Sequence, residues 1–386
     1  MSIKNLIFWF DHPPRVSKGI FNAVSEKWNG KTYYVCVNDT RDERKKINWD
    51  EGGYGKAEII ILSTMSNKNV FFDEFLNAHI DDIHIFNGYK SQSSLYLNKI
   101  IDAVRKPKII IWSERPNLYG GFIEKMVRKI GLILYFKDAI RLRKYVSAYF
   151  AVSAKGVNMF KKFGWPNDKV FPFLYVPPIN SEILKQSKKE IKFPIKMLYV
   201  GRFDAKAKGV DILMRAMDKL PKDNLSLEVV GGYGKIKDEV IDWAKSKSNV
   251  SFGGSWPSSE VCERMKEYDI CIIPSKYDGW NVNPNDAIRA GTGIIITDNS
   301  GSDDLIRSSN SGIVIKSNSV NALVDAIKLV MKEPNLIIKW SENANKYANK
   351  ISPNCASDYF IAVLQYVFEK NVKERPKAPW LINLYE

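Results

Sequence analysis

Asp278 and Asp286 stand eight positions apart in the segment running from Pro274 to Gly291. Gly279 turns the chain directly after the first acid, and Pro284 marks the entry to a helix that carries the second. A carboxylate accepts two hydrogen bonds from vicinal hydroxyls, the chemistry needed to grip a ribose or a hexose. The main-chain N–H groups of Trp280, Asn281 and Val282, next to a helix start, suit a diphosphate. An acidic pair alone reads equally well as a solvated loop followed by a helix-start carboxylate. Other features in register argue against that reading: Arg202 and Lys208 after a strand-ending Gly201, and a glycine-rich turn with Gly231 and Gly232 after the next strand.

Such residues need a frame. Apolar runs at 5–10, 32–37, 57–62, 82–86, 108–112 and 148–153 alternate with helix-length spacers, the pattern of buried parallel strands joined by crossover helices. The pattern fails between 177 and 194, where two prolines precede a polar, lysine-rich stretch. It restarts at 195–200, 225–230, 250–252, 270–274, 294–297 and 312–315. The expectation is an α/β chain of two tandem doubly wound, Rossmann-like domains. An N-terminal domain spans 1–180, a linker 181–194, and a second domain 195–352. A C-terminal helix and tail over 353–386 packs back on the first domain. Ligands of such sheets bind at the carboxyl ends of the strands, here in a cleft between the domains.

Length and composition agree. The chain has 386 residues, more than one core usually holds, with 45% hydrophobic and 26% charged residues. These values exclude a disordered, collagen-like or disulfide-stapled chain. The longest apolar run, 130–136, is far short of the ~18–20 residues that cross a bilayer, and no secretory leader is read at the N-terminus. Cys36, Cys262, Cys271 and Cys355 are far apart and have no histidines at metal-ligand spacing. Reduced thiols in a cytoplasmic protein are expected. The formal charge of +15 is uneven: residues 1–180 hold 28 Lys and Arg against 17 Asp and Glu, a net of +11. A basic surface attracts anionic lipid, nucleic acid or phosphorylated small molecules without choosing among them.

The segment 274–291 resembles the donor-binding signature of the retaining, nucleotide-sugar-dependent glycosyltransferases of the group 1 (family 4) type. In that family two acids, usually Glu, flank seven residues. Gly201-Arg202-Phe203 with Lys208-Gly209, the turn 230–234, Gly291 to Ile295 and Ser300 to Ile306 match the family's remaining motifs in order, over about 195–350. The resemblance implies the two-domain GT-B fold and a UDP- or GDP-sugar donor as substrate, with no separate cofactor. It also implies Arg202 and Lys208 on the diphosphate, Asp286 on the ribose and Asp278 near the anomeric carbon. With two cations to neutralise the leaving group, no metal is required. Here aspartate stands for glutamate at both acidic positions, shortening each reach by one methylene, and Asn281 stands where the family often has glycine.

The first domain departs further. The family's Gly-Gly loop is replaced by the stretch from Asp11 through His12 to Gly19, and its histidine position falls on Glu114. Glu114 is therefore read as the reaction-centre residue, with Arg115, Asn87, His12 and Gly19 as acceptor-side or loop candidates. For Glu114 and Arg115 an ordinary surface ion pair stays open, while His79 and His84 read as structural. Between 120 and 145, Lys125, Arg128, Lys129, Lys137, Arg141, Arg143 and Lys144 face Glu124 and Asp138 and interleave with apolar residues. This stretch reads either as a solvated helix face or as a peripheral contact with an anionic membrane. The expected function is transfer of a hexose, with retention, to a glycan acceptor. Family habit and the basic surface suggest a lipid-linked acceptor in bacterial cell-surface polysaccharide synthesis at the inner face of the membrane. An epimerase or phosphorylase on the same fold, and a catalytically silent basic binder, are the alternatives. Nucleic acid does not account for the acidic pair and is not expected as a partner.

Overall fold

The computed structural model describes residues 4–40, 53–117, 122–178, 190–369 and 372–381. Among them lie two parallel sheets. The first contains β1 (Leu6–Phe10), β2 (Thr32–Cys36), β3 (Glu58–Ile61), β4 (Ile83–Asn87), β5 (Lys108–Ser113), β6 (Val146–Val152) and β7 (Val170–Phe173), in the order β3-β2-β1-β4-β5-β6-β7. The second contains β8 (Ile195–Val200), β9 (Leu225–Val230), β10 (Val250–Phe252), β11 (Ile270–Ile273), β12 (Gly293–Thr297) and β13 (Gly312–Ile315), in the order β10-β9-β8-β11-β12-β13. In both, the order reverses beside the sheet's first strand, as in a Rossmann fold. The doubly wound α/β class expected from the sequence is present twice.

One strand was not foreseen. β7 is only four residues long and contains Pro172, which the apolar-run pattern passes over. Proline cannot donate to a ladder and is tolerated at an edge, and β7 is the edge strand, with Pro172 opposite Ala151.

Crossovers in the first half include α1 (Lys18–Lys27), α2 (Lys68–Ala78), α3 (Ser94–Ala103), α4 (Phe122–Leu142) and α5 (Ala154–Lys162). In the second half they are α6 (Val210–Met217), α7 (Lys237–Lys245), α8 (Val261–Met265), α9 (Asn283–Ala290) and α10 (Asp303–Ser309), followed by α11 (Val320–Lys332), α12 (Asn335–Tyr347) and α13 (Pro353–Phe368). Helices on both faces explain why strands such as β1 are buried at every position.

The chain divides into two compact units. The first comprises Met1–Pro116, Lys129–Pro178 and Pro353–Ala378, and the second Asn117–Arg128, Ile179–Ser352 and Pro379–Glu386. α13 counts with the first unit because its Phe360 stacks on Phe150 (centroids 4.8 Å apart) and on Phe8 (6.1 Å) of that unit's sheet. The second core gathers Met197, Tyr199, Leu213, Val229, Ile272, Ile295, Leu323 and Trp340. Most of the expected linker, 181–189, and the start of the basic stretch at Gly120 lie outside the described residues.

Candidate active site

β8 and β11 are neighbours where the second sheet's order reverses. Loops leaving their carboxyl ends therefore share one crevice. After β8 the chain runs through Gly201 and Arg202 to Gly209, and Asp204 organises that turn. Its Oδ1 accepts from the backbone N–H of Lys206 (2.9 Å) and Ala207 (3.3 Å), and its carbonyl accepts from those of Lys208 (2.8 Å) and Gly209 (3.2 Å). Gly209 has φ +67°, and a Cβ there would lie 2.0 Å from the Pro274 carbonyl oxygen. Only glycine allows the two loops to abut so closely. Backbone bonds then join them: the N–H groups of Lys276 and Tyr277 donate to the Ala207 carbonyl at 2.8 and 3.2 Å.

Across this junction the Lys208 ammonium donates to Asp278 Oδ2 at 2.5 Å. The two side chains are only 19% and 12% exposed. Two sequence-predicted site residues, seventy positions apart, thus form one ion pair. Asp278 is fixed from its own backbone, its N–H donating to Asn299 O (3.2 Å) and its carbonyl accepting from Gly301 (3.0 Å). Lys276 turns away to Asp211 at 2.8 Å.

α9 is anchored at its start by Asn283. Its N–H donates to Asn281 Oδ1 (3.0 Å), and its side-chain amide donates to the Val200 carbonyl at the end of β8 (2.6 Å). Val282 is half-buried at this helix start. Trp280 is buried, and its indole N–H has no hydrogen-bond partner among the described residues. A buried donor of that kind calls for an acceptor. On α9 itself Asp286 is buried and pairs with Arg289 Nη1 at 3.4 Å. Burial pushes its carboxyl pKa up to about 6, with Arg289 opposing the shift.

The glycine turn packs against the first loop. Gly201 N–H donates to Val230 O (3.0 Å), Gly231 N–H to Gly254 O (2.8 Å) and Phe203 N–H to Tyr233 O (3.0 Å). A Cβ on Gly232 would approach Ser255 Oγ to 2.9 Å. Arg202 is exposed, and its carbonyl accepts from the Tyr199 hydroxyl at 2.7 Å.

Sequence reasoning missed Asp204, Asn283 and Arg289, which hold this site together. Two of the signals were present: an Asp opening a glycine-terminated turn, and an arginine three positions after Asp286 on a helix.

The candidates of the first unit sit on other loops. His12 Nδ1 lies 2.7 Å from the Asp39 carbonyl. A carbonyl only accepts, so Nδ1 carries the proton and Nε2 is the basic nitrogen of the neutral ring. Asn87 ends β4. Glu114 is exposed just beyond β5 and Arg115 is half-buried. Burial, together with the Glu114 carboxylate that accepts its hydrogen bond, raises the Tyr175 hydroxyl pKa. Gly19 lies inside α1, where a Cβ would come within 2.5 Å of the Pro177 carbonyl oxygen, so a close backbone approach accounts for the glycine. His84, fully buried, accepts from Trp9 Nε1 (3.2 Å), and its Nε2 faces the His79 carbonyl (3.2 Å). Among the described residues no group of three or more His, Cys, Asp or Glu is placed to hold a metal ion.

Residues 180–347 match the family described as glycosyl transferases group 1. An uncharacterized glycosyltransferase of Methanocaldococcus jannaschii, MJ1069, is 27% identical over 248 residues, covering 61% of this chain and 59% of the relative. The poly(glycerol-phosphate) alpha-glucosyltransferase of Bacillus subtilis is 23% identical over 362 residues, covering 89% of this chain and 49% of the relative. The chain thus spans about half the length of these curated relatives. Among solved structures, Anabaena Alr3699/HepE in complex with UDP and glucose aligns with a TM-score of 0.67 at 12% identity, covering 93% of this chain and 99% of that one. That likeness establishes the fold: two Rossmann-like parallel α/β units of the GT-B type.

Proposed function

We propose that this chain, whose residues 180–347 carry the group 1 glycosyl transferase match, is a glycosyltransferase whose second unit binds a nucleoside-diphosphate sugar. The Lys208–Asp278 pair carries the reading. A half-buried lysine beside a strand-order reversal is a cation set where a phosphate can reach it, and Asp278 keeps it in place until a ligand arrives. In the proposed complex Lys208 and Arg202 contact the diphosphate and stabilise the charge that grows on it as the sugar leaves. The backbone around Trp280, Asn281 and Val282 and the unpartnered Trp280 indole N–H supply donors. Asp286 accepts from the ribose hydroxyls, and Asp278, released by Lys208, accepts from the sugar near its anomeric carbon.

Two cations at one site make transfer without a metal chemically sufficient. UDP is the favoured nucleotide because the HepE structure that shares this fold holds UDP and glucose, with GDP as the competing one. A glycan acceptor reached through Glu114, Arg115, Asn87 and His12, with retention at the anomeric carbon, completes the reading. The apolar and basic helix α4 favours a lipid-linked acceptor and cell-surface polysaccharide synthesis.

Calorimetric titration with UDP and GDP tests it. One nucleotide should bind, and Asp286→Asn should weaken binding by roughly 10–100-fold, the effect of a lost hydrogen bond to a charged group. Because the Asp286 carboxyl keeps its proton up to about 6, affinity should also fall as the pH drops from 7 to 5, and Asp286→Asn should flatten that profile. No heat with either nucleotide would sink the proposal.

A further inference from the structure

Tyr199 is buried in the second unit's core, yet it keeps a hydroxyl there. It stands next to last in β8, and its ring stacks on that of buried Phe203 with the centroids 6.2 Å apart. Phenylalanine would fill the same volume, so packing does not account for the oxygen. A buried hydroxyl needs a hydrogen-bond partner, and this one donates to the Arg202 carbonyl at 2.7 Å.

That carbonyl is a junction. It also accepts from the Asp204 N–H at 2.9 Å. Asp204 holds the rest of the turn, taking the backbone N–H groups of Lys206 and Ala207 on its carboxylate and those of Lys208 and Gly209 on its carbonyl. One hydroxyl fixed in the core therefore bears on both cations: on Arg202 through that residue's own carbonyl, and on Lys208 through Asp204. Arg202 is exposed, so its guanidinium starts from wherever its backbone is held. Lys208 has a second support in Asp278, but a bound diphosphate competes for that same ammonium. Gly201 completes the fit, since a Cβ there would lie 3.2 Å from the Tyr199 hydroxyl and crowd it.

We propose that Tyr199 is a positioning residue: its hydroxyl sets the loop after β8 so that Arg202 and Lys208 meet a diphosphate together. Buried as it is, Tyr199 touches no ligand and acts only through the carbonyl it holds. A loop free to wander must be ordered when the ligand arrives, and that ordering cost is subtracted from affinity. The hydroxyl removes the cost by ordering the loop beforehand. This inference rests on the nucleotide reading of the second unit and adds to it the group that pre-organises its two cations.

The experiment compares UDP with uridine on the full chain, by calorimetry for the first and ligand-observed NMR for the second. Tyr199→Phe keeps the ring and removes the donor, so UDP affinity should fall roughly 10-fold, the effect of one lost hydrogen bond. Uridine carries no phosphate, and its affinity should stay at the wild-type value. Para-aminophenylalanine at position 199 restores a donor and should recover most of the UDP affinity. In a chain already carrying Arg202→Ala and Lys208→Ala, Tyr199→Phe should cost nothing further, because no cation is left to place. Undiminished UDP affinity in Tyr199→Phe would overturn the inference. So would an equal loss for uridine, no recovery with para-aminophenylalanine, or the full loss in the cation-free background, since each makes the hydroxyl a general prop of the fold. If GDP binds in place of UDP, GDP and guanosine form the pair. A wild-type chain silent with both nucleotides removes the proposed function and this inference with it, whereas a nucleotide held equally by wild type and Tyr199→Phe removes this inference alone.

Discussion

Both units reverse their strand order beside the first strand of the sheet, between β1 and β4 in one and between β8 and β11 in the other. The two reversals are furnished differently. In the first, the Asp11 carboxylate accepts from the backbone N–H of Ser93 (2.9 Å) and Gln92 (3.2 Å), stitching the loop after β1 to the start of α3. Asn38 braces it, donating to Gln92 Oε1 at 2.6 Å. In the second, the bridge is the side-chain pair of Lys208 and Asp278. An acid held by main-chain amides is a fixed structural staple. Lysine paired with aspartate holds a charge that a phosphate can claim, because each partner can trade one counter-charge for another. Topology provides the crevice in both places, and residue type decides whether main-chain amides or a side-chain ion pair spans it.

Buried titratable groups sharpen the contrast. Burial pulls the His84 pKa down to about 4, partly opposed by the hydrogen bond to the His79 carbonyl. The unfolded chain then takes up a proton from pH 6.5 downwards while the fold refuses it, so the first unit loses stability between pH 6.5 and about 4. Asp286 has the opposite sign. Its folded pKa of about 6 lies above the ordinary 3.8, so the second unit is stabilised below 3.8 and loses that contribution as the pH rises towards 6. Charge discomfort at neutral pH thus resides in the unit proposed to bind nucleotide, as functional sites often show.

The largest expected effect bears directly on the two bridges. Lys208→Ala should lower kcat for transfer or for donor hydrolysis by about 10²–10³-fold, the usual consequence of removing one donor to a developing anion. A steady-state assay showing normal rates would make the second bridge as inert as the first. Next, Gly209→Ala should destabilise the chain by about 3 kcal/mol, since a left-handed conformation and an oxygen 2.0 Å from the new Cβ act together. Gly88→Ala, with φ +77° but a nearest atom at 3.7 Å, should cost only about 1–2 kcal/mol. Equal shifts in denaturant midpoint would dissolve the claim that the second crevice is the more tightly built.

Hydrogen exchange corrected for intrinsic rate should show β1 and β4 losing protection relative to β11 and β12 when the pH falls from 7 to 5. The His84 share reaches at most about 3 kcal/mol near pH 4. Parallel changes in both sheets would contradict the opposite signs. The smallest effect is assigned to Asp11→Asn, which keeps the shape but weakens two hydrogen bonds and should cost about 1 kcal/mol without altering nucleotide affinity. A calorimetric loss of affinity there would bring the first bridge into the ligand's path.

The strands were readable because wholly buried parallel strands are short apolar runs bounded by polar turns, as in β1, β8 and β12. β7 escaped because Pro172 interrupts its run and only an edge position tolerates it. Lys208, Asp278 and Asp286 could be nominated from residue type and spacing, since the loops after a strand keep their residues in local order. Their pairing could not be read there: that Lys208 meets Asp278 while Asp286 meets Arg289 depends on which strands are neighbours and how closely Gly209 lets two loops approach. Along α4 the sequence shows where basic and apolar residues interleave, but which apolar residues face solvent depends on which ones the first unit's core accepts. Composition and periodicity are properties of the chain in order, so the sequence by itself determined the two α/β sheets and the candidate residues. Partnership, burial and exposure arise between residues distant along the chain, so only the tertiary structure decided which cation meets which acid and which helix face the solvent receives.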